Sequence, residues 1–255
     1  MTIPPFRPLV TAWHFLTIVP LPGVSHDPTP QELARSMGWY PVIGLGLGGL
    51  LVACDWLFSN LFTRGVEDLL LIAVLVGVTG GLHQDGLADM LDGLAGGKTP
   101  AERLTIMRDP RIGAIGATGL ALDLGLRLAG LMALPQAVRI PALLCLPAVG
   151  RWAMVIGAWG APYARAEGGL AAPFLQELSW RDVMGATIVV VSTVAWGLGP
   201  IAALVGCGLG ALMARVITRT ASRLCDGITG DVLGATNEVA EIFFLLIVPV
   251  LVGVR

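Results

Sequence analysis

Residues 36–54, SMGWYPVIGLGLGGLLVAC, decide the fold because they carry no charged side chain over the length of a bilayer. A helix needs about 20 predominantly apolar residues to cross the hydrocarbon core of a membrane. Trp39 and Tyr40 lie near the start of this stretch and Trp56 follows its end, as is typical of aromatic side chains at the two membrane interfaces. The stretch therefore predicts a membrane-spanning helix.

Further apolar stretches indicate that the chain crosses the membrane several times. The longest contains Gly197-Leu198-Gly199-Pro200, and this combination of glycine and proline favours a turn between two short spans. Seven spans result, at 36–54, 69–82, 112–134, 141–159, the two parts of 183–214, and 237–254. The proline-rich first 22 residues are too short to span and are predicted to be interfacial or re-entrant.

The composition indicates the same class of protein. Of the 255 residues, 55% are hydrophobic and 13% are charged, whereas about 25% of the residues in soluble domains are charged. The net charge of −2 provides no basic field, so nucleic-acid binding is excluded. The four cysteines lie far apart and are interpreted as buried thiols. We expect an all-α integral membrane protein, a polytopic helical bundle forming a single domain over residues 1–255.

Basic residues predict the orientation of this bundle. If seven spans alternate, most Lys and Arg residues of the connecting segments fall on one face, and only Arg64, Arg139 and Arg255 fall on the other. Cytoplasmic segments are the ones enriched in Lys and Arg. The two most polar segments, 83–111 and 219–236, lie on the basic face. A site carried by polar loops on the cytoplasmic side is therefore expected.

Three carboxylates in the first polar segment form the strongest candidate site. Asp85, Asp89 and Asp92 are spaced four and three residues apart, which places them on one helical face. Such a row of like charges requires a cation, and Mg²⁺ is typically shared between carboxylates and substrate phosphates. The alternative is that Asp85 caps a helix and the other two carboxylates are solvated.

Basic residues that follow Asp92 in the same polar segment are candidates for binding phosphate. Lys98, Arg103, Arg108 and Arg111 share the segment with the acids, and arginine binds phosphate oxygens through two parallel hydrogen bonds. Acids for a metal and cations for phosphates together predict a diphosphate site. The alternative is the ordinary basic excess of a cytoplasmic segment.

A glycine-rich turn at Thr229-Gly230-Asp231 separates two apolar stretches and permits close approach of the backbone to a ligand. Asp231 and Glu241 are candidates for a metal ligand or a general base. The alternative is a tight turn in which Asp231 caps a helix.

Several ionisable residues lie within or beside the spans, where they are costly and usually paired or functional. Asp123 and Arg127 have the spacing of a helical ion pair. Arg151 has no local partner and is expected to reach an acid on another helix or the substrate. Asp55 is interpreted as interfacial. His83 either accepts a proton or, as we favour, orients a neighbouring carboxylate.

Seven motifs, in this order and spacing, resemble the cobalamin synthase family, whose activity is that of an adenosylcobinamide-GDP ribazoletransferase. They are WHFLTIVPLP at 13–22, WYPVIG at 39–44, GLHQDGLADMLDG at 81–93, IMRDPRIGAIG at 106–116, GRWAM at 150–154, PYAR at 162–165 and TGDVLGA at 229–235. Two positions depart from the family pattern: Asp226 stands where a glycine is expected, and Asn237 where a longer amide is common.

The resemblance implies a multi-pass enzyme of the bacterial inner membrane. Its reaction would join adenosylcobinamide-GDP to α-ribazole, or to α-ribazole 5′-phosphate, with release of GMP and a requirement for Mg²⁺. The implied catalytic residues are Asp85, Asp89, Asp92 and Asp231, of which the first three would bind the metal. From the residues and the motifs together, the predicted substrate-binding residues are His83, Lys98, Arg103, Arg108, Arg111, Arg151, Arg165, Thr229, Asn237 and Glu241. The expected partners are the two substrates and the lipid bilayer, and a homo-oligomer is left open.

Two alternative functions are weighed against this one. A CDP-alcohol phosphotransferase of lipid synthesis also combines membrane carboxylates, a metal and a diphosphate, but its acidic motif continues differently after the Asp-Gly pair of residues 85–86. A cation-coupled transporter could use intramembrane acids, yet the sequence has neither the internal repeat nor the paired broken helices typical of one.

Overall fold

The computed structural model describes residues 6–21, 27–169 and 171–253, and the regular elements of this part of the chain are helices. They are α1 (Phe6–Leu16), α2 (Pro30–Ser36), a 3₁₀ turn (Met37–Trp39), α3 (Tyr40–Phe58), α4 (Arg64–Thr79), α5 (Leu82–Gly96), α6 (Pro100–Ile106), α7 (Ala114–Ala133), α8 (Gln136–Ala158), α9 (Ala172–Gln176), α10 (Trp180–Leu198), α11 (Pro200–Cys225) and α12 (Gly230–Leu251). The predicted all-α class is confirmed.

Six helical segments of the described chain are long and apolar enough to cross a membrane, namely Pro30–Phe58, α7, α8, α10, α11 and α12. The helices α4 and α5 meet the same criteria only as a pair, with a bend of 88° between them. The chain is therefore a polytopic membrane protein with six spans, or seven if the bent pair counts as one. The predicted break within 183–214 is confirmed: Gly199, with φ +92°, separates α10 from α11.

The bend between α4 and α5 is made by two consecutive glycines. Gly80 (φ +64°) and Gly81 (φ +69°) both adopt the left-handed conformation, which costs glycine far less than other residues. The hydrogen bond from the backbone N–H of Ile18 to the carbonyl of Val78, 2.9 Å long, ties the segment after α1 to this bend. The bend sends α5 away from the direction of α4.

The segments predicted as polar loops are mostly helical. Residues 83–111 contain most of α5 and all of α6, while 219–236 contain the end of α11 and the start of α12. The connection between these last two helices is only residues 226–229. Asp226 ends α11 with φ +57°, which explains why glycine is expected at this position. The expectation of a loop-borne site is corrected for the acids, because Asp85 and Asp89 belong to α5 and Asp231 to α12. It holds for Arg108, Arg111 and Arg165, which lie in connections between helices.

The prediction for the first 22 residues falls partly on residues 1–5 and 22, outside the described residues. The described part forms α1, whose eleven residues are too few to cross a bilayer. It packs against α2 and α3. Its interfacial or re-entrant placement stays a prediction.

Small residues allow the helices to pack closely around α8. A Cβ atom on Gly44 of α3 would lie 2.5 Å from Cα of Ala148, and one on Gly48 would lie 2.1 Å from the carbonyl oxygen of Leu144. Both distances are shorter than van der Waals contact, so only glycine fits. This backbone contact is typical of helix pairs in membranes, where small residues permit close approach.

The end of the bundle remote from α5 is held by a buried arginine. The guanidinium of Arg139 on α8 donates hydrogen bonds to Asp55 of α3 (2.6 Å) and to Glu67 (3.1 Å) and Asp68 (2.6 Å) of α4. The interpretation of Asp55 as merely interfacial is therefore wrong. Ion pairing is the arrangement that makes such charges tolerable in an apolar interior.

Candidate active site

Two cavities adjoin the first turns of α5, and Asp85 lines both of them. The larger has a volume of about 880 Å³ and the smaller a volume of about 250 Å³. Phe15 and Leu82 also belong to both walls. The exposed carboxylate of Asp85 thus lies where the contents of the two cavities would meet.

The larger cavity combines carboxylates with arginines. Asp89 lines it together with Asp85, and Arg108 and Arg111 lie in its wall. Arg111 donates hydrogen bonds of 2.9 and 2.6 Å to the two carboxylate oxygens of Asp109, and these bonds lower the pKa of Asp109 to about 2. Because this pair is largely exposed to solvent, it is worth little in free energy. An incoming anion can therefore replace the carboxylate as the partner of the arginine.

Arg108 pairs with the exposed carboxylate of Glu167. The pKa of that carboxyl group is lowered by a hydrogen bond with the backbone of Glu167 itself and by the hydrogen bond with Arg108. The pair joins the segment before α7 to the connection between α8 and α9. Arg108 and Arg111 of the larger cavity thus each have an acidic partner that solvent reaches, Glu167 and Asp109.

The smaller cavity is lined mostly by aromatic and apolar side chains. The ring centroids of Phe15 and Phe174 are 4.8 Å apart, and those of Phe15 and Tyr40 are 6.0 Å apart. Its charged lining residues are Asp85, Arg165 and Asp231. This composition suits a flat aromatic group with one polar end.

Asp231 is held in place by the Thr-Gly-Asp turn and by Arg165. Its carboxylate accepts a hydrogen bond of 3.0 Å from the hydroxyl of Thr229 and one of 3.1 Å from Arg165. Close packing of α5 on α12 brings it near Asp85: a Cβ atom on Gly86 would lie only 2.9 Å from the carbonyl oxygen of Asp231. Thus the structure brings the acidic segment and the Thr-Gly-Asp turn to the same cavity, as the sequence predicted.

Asp92 differs from the other two acids of its segment. It is not in the lining of either cavity. Its carboxylate oxygens accept hydrogen bonds from the backbone N–H groups of Gly113 (2.7 Å) and Gly116 (2.8 Å) at the start of α7. Side chains on these glycines would collide with the carboxylate. The contacts of Asp92 are those of a helix cap, while its role as a metal ligand stays a prediction.

Two of the predicted phosphate-binding residues lie outside both cavities. The Arg103 guanidinium donates a hydrogen bond of 2.7 Å to the carbonyl of Leu224 and so joins α6 to α11. The side chain of Lys98 is exposed, and its backbone N–H is bonded to Glu102.

Arg151, Asn237 and Glu241 lie in a buried ionic network between α7, α8 and α12. Arg127 pairs with Asp123 at 3.2 Å, as predicted, and also with Glu238 and Glu241. Arg151 pairs with Glu241, and the amide of Asn237 donates to both glutamates. The partner of Arg151 is therefore an acid on another helix, which is one of the two alternatives that the sequence predicted.

This network approaches the smaller cavity through α5. Gln84 donates a hydrogen bond of 2.8 Å to Glu238, and Nη2 of Arg151 lies 3.5 Å from Nδ1 of His83. The side chain of His83 is buried and lines the smaller cavity. Arg127, Glu238 and Gln84 were missed from sequence as a connected group, because partners on different helices leave no trace in spacing.

The aromatic wall was also missed as part of the site. Phe15 and Tyr40 lie within the motifs at 13–22 and 39–44, and their place in these motifs could have indicated a role in the site. Phe174 lies on the short helix α9, and nothing in its sequence surroundings connects it with α5.

The carboxylates beside the larger cavity suit Mg²⁺ rather than a metal ion held entirely by side chains. In the ranges 6–21, 27–169 and 171–253, no three His, Cys, Asp or Glu side chains lie close enough together to hold a metal ion. Magnesium is commonly bound by only one or two carboxylates, with waters and substrate phosphates completing its shell. Asp85 and Asp89, one helical turn apart beside the larger cavity, fit that mode of binding.

Comparison with known proteins gave a consistent set of relatives. The model of the cobalamin-5-phosphate synthase family matches residues 8–249. The adenosylcobinamide-GDP ribazoletransferase of Syntrophobacter fumaroxidans is 39% identical to this chain over 92% of the chain and 95% of the relative. Proteins of the same name from Roseiflexus sp. and Ectopseudomonas mendocina are 36% and 38% identical, over 94% and 92% of this chain and 88% and 95% of the relatives. No solved structure matches the chain.

Proposed function

Because the chain belongs to the cobalamin-5-phosphate synthase family, we propose that it joins adenosylcobinamide-GDP to α-ribazole, or to α-ribazole 5′-phosphate, and releases GMP. The observation that carries this proposal is the position of Asp85 in the walls of both cavities. A diphosphate in the larger cavity and a nucleoside in the smaller one would meet at this carboxylate.

The reaction requires one new phosphorus–oxygen bond and the loss of another. The 5′-hydroxyl oxygen of α-ribazole attacks the phosphorus nearer the cobinamide, the bond to the bridging oxygen breaks, and GMP leaves. The hydroxyl proton passes to a carboxylate, for which Asp85 and Asp231 are the candidates. Phosphoryl transfer depends on positioning and charge neutralisation more than on covalent catalysis. Arg108 and Arg111 would neutralise phosphate oxygens in the larger cavity.

We propose Mg²⁺ as the cofactor, held by Asp85 and Asp89 together with substrate phosphate oxygens. The ion would supply positive charge next to the diphosphate. Asp92 is a weaker candidate ligand, because both of its oxygens already accept hydrogen bonds from α7.

We also propose that the site faces the cytoplasm from the bacterial inner membrane. The support is that α7 and α12 begin, and α8 and α11 end, beside the two cavities, on the end of the bundle rich in arginine. Cysteines replacing Lys98 or Arg223, both exposed, should resist a membrane-impermeant thiol reagent applied to intact cells. Strong labelling of sealed cells would overturn this orientation.

The test of the function is an assay of the purified protein in lipid. GMP should be released from adenosylcobinamide-GDP only when α-ribazole is present. A CDP-alcohol phosphotransferase would instead release CMP from a CDP-alcohol, and a transporter would release neither nucleotide. Either of those outcomes would contradict the proposal.

The Asp85→Asn variant should lose about 100-fold or more in kcat, because it removes charge where the two substrates meet. The matched control is Asp226→Asn, which makes the same chemical change at an exposed residue outside both cavities. Its left-handed backbone tolerates asparagine, so this variant should keep its activity. Equal activities of the two variants would remove Asp85 from the mechanism.

A further inference from the structure

We infer that the smaller cavity is the acceptor subsite and that Nε2–H of His83 recognises the base of the acceptor nucleoside. This inference rests on the proposed function for the identity of the acceptor. The base of α-ribazole is a flat bicyclic aromatic group whose free ring nitrogen can accept one hydrogen bond. The cavity offers the matching features: an aromatic wall and two lining residues with a buried donor that has no partner among the described residues, Nε2 of His83 and Nε of Arg165. We assign the base to His83 because Arg165 is already bonded to Asp231 through its Nη2.

The contact with Arg151 determines which nitrogen of His83 carries the proton. The Arg151 guanidinium can only donate hydrogen bonds, and its Nη2 lies 3.5 Å from Nδ1 of His83. Nδ1 therefore acts as the acceptor, because a protonated Nδ1 would set two donors against each other. In the neutral ring the proton then resides on Nε2.

Nε2 of His83 is buried and has no hydrogen-bond partner among the described residues. An unpaired buried donor is costly, so such groups usually mark a place where a ligand or water completes the structure. His83 belongs to the lining of the smaller cavity. The acceptor that Nε2–H lacks is therefore expected from a molecule bound there.

The two cavities differ in the substrate that each can hold. The larger has two arginines whose acidic partners, Glu167 and Asp109, are exposed and partly exposed, which suits a diphosphate. The smaller has one arginine, Arg165, whose Nη2 is bonded to Asp231 and whose Nε is buried without a partner among the described residues. With the base against Phe15 and Phe174, the ribose of the acceptor would extend toward Asp85, where its 5′-hydroxyl reacts.

The test compares α-ribazole with its indole analogue, the α-riboside of 5,6-dimethylindole, in which a C–H replaces the acceptor nitrogen. The wild-type protein should prefer α-ribazole by about tenfold or more in kcat/KM and in Kd, the range expected when a buried donor loses its partner. His83→Phe should abolish this preference, and His83→Gln, whose amide N–H can replace Nε2–H, should restore part of it. The KM for adenosylcobinamide-GDP should not change.

Phe174→Ala is the matched control, because it enlarges the same cavity and keeps the donor. This variant should weaken binding of both nucleosides equally. A wild-type protein that treats the two nucleosides alike, or a His83→Phe variant that retains the preference, would overturn the inference. So would competition by GMP for the α-ribazole site, since the smaller cavity would then hold guanine.

Calorimetric titration of wild-type protein with the two nucleosides keeps this test separate from the test of the proposed function. Absence of GMP release with any acceptor would refute the function. The two binding constants would still decide whether the cavity recognises the acceptor nitrogen, and the wild-type comparison stands even if a His83 variant fails to fold.

Discussion

Replacement of Asp92 by asparagine distinguishes a helix cap from a metal ligand. In the structure both carboxylate oxygens accept backbone N–H groups at the start of α7, from Gly113 and Gly116. Asparagine keeps one acceptor oxygen and presents an NH₂ group to the other N–H. Loss of a hydrogen bond to a charged group costs about 1.5–3 kcal/mol, and loss of a negative charge at a helix N-terminus costs about 0.3–1 kcal/mol more.

The expected destabilisation by Asp92→Asn is therefore about 2–4 kcal/mol, or roughly 4–16 °C in apparent Tm for a chain of this size. Thermal unfolding in detergent, followed by size-exclusion chromatography, measures it. The matched control is Asp85→Asn, which removes an exposed carboxylate and should leave the free energy of unfolding within about 0.5 kcal/mol of the wild-type value. An Asp92→Asn protein as stable as the wild type but inactive would refute the capping argument and support the metal-ligand prediction.

Three further substitutions test the packing and the charges. Gly86→Ala should destabilise the protein by about 1–3 kcal/mol and lower kcat, because its Cβ would meet the backbone of Asp231. The control is Gly125→Ala, where the new Cβ has open space around it. Equal unfolding temperatures of the two variants would contradict the prediction. Arg127→Met should lower the free energy of unfolding by about 3–5 kcal/mol, because it removes the cation that pairs with buried carboxylates. An unchanged Tm would show that these carboxylates and Arg127 are not ionised in the folded protein. Arg111→Lys should lower kcat/KM for adenosylcobinamide-GDP by about tenfold or more, because lysine lacks the bidentate fork; if it and Arg111→Ala change only protein abundance, the phosphate site lies elsewhere.

Much of the fold could be predicted from local sequence. The uncharged stretch at 36–54 and the Gly-Pro break before α11 follow from hydropathy and backbone chemistry, which are properties of neighbouring residues. The near right angle after α4 could not be predicted, because a Gly-Gly pair permits many turns and tertiary packing selects one.

The acids of the site illustrate the same limit. Helical spacing predicted that Asp85, Asp89 and Asp92 share a helix, and the structure confirms the helix. Spacing could not show that Asp92 contacts α7, because that contact depends on two glycines more than twenty residues away. Asp55 was misinterpreted for a similar reason, since its partner Arg139 lies on another helix.

The shortness of α4 has a consequence for the lipid around the enzyme. Its 16 residues rise about 24 Å at 1.5 Å per residue, whereas the hydrocarbon core is about 30 Å thick, and any tilt shortens the reach further. The span is therefore completed only by the start of α5 beyond the 88° bend, and a bilayer matched to α4 alone would have to thin there. Because this mismatch grows with acyl-chain length, we expect vesicles of long-chain lipids to lower the activity while leaving the helices intact.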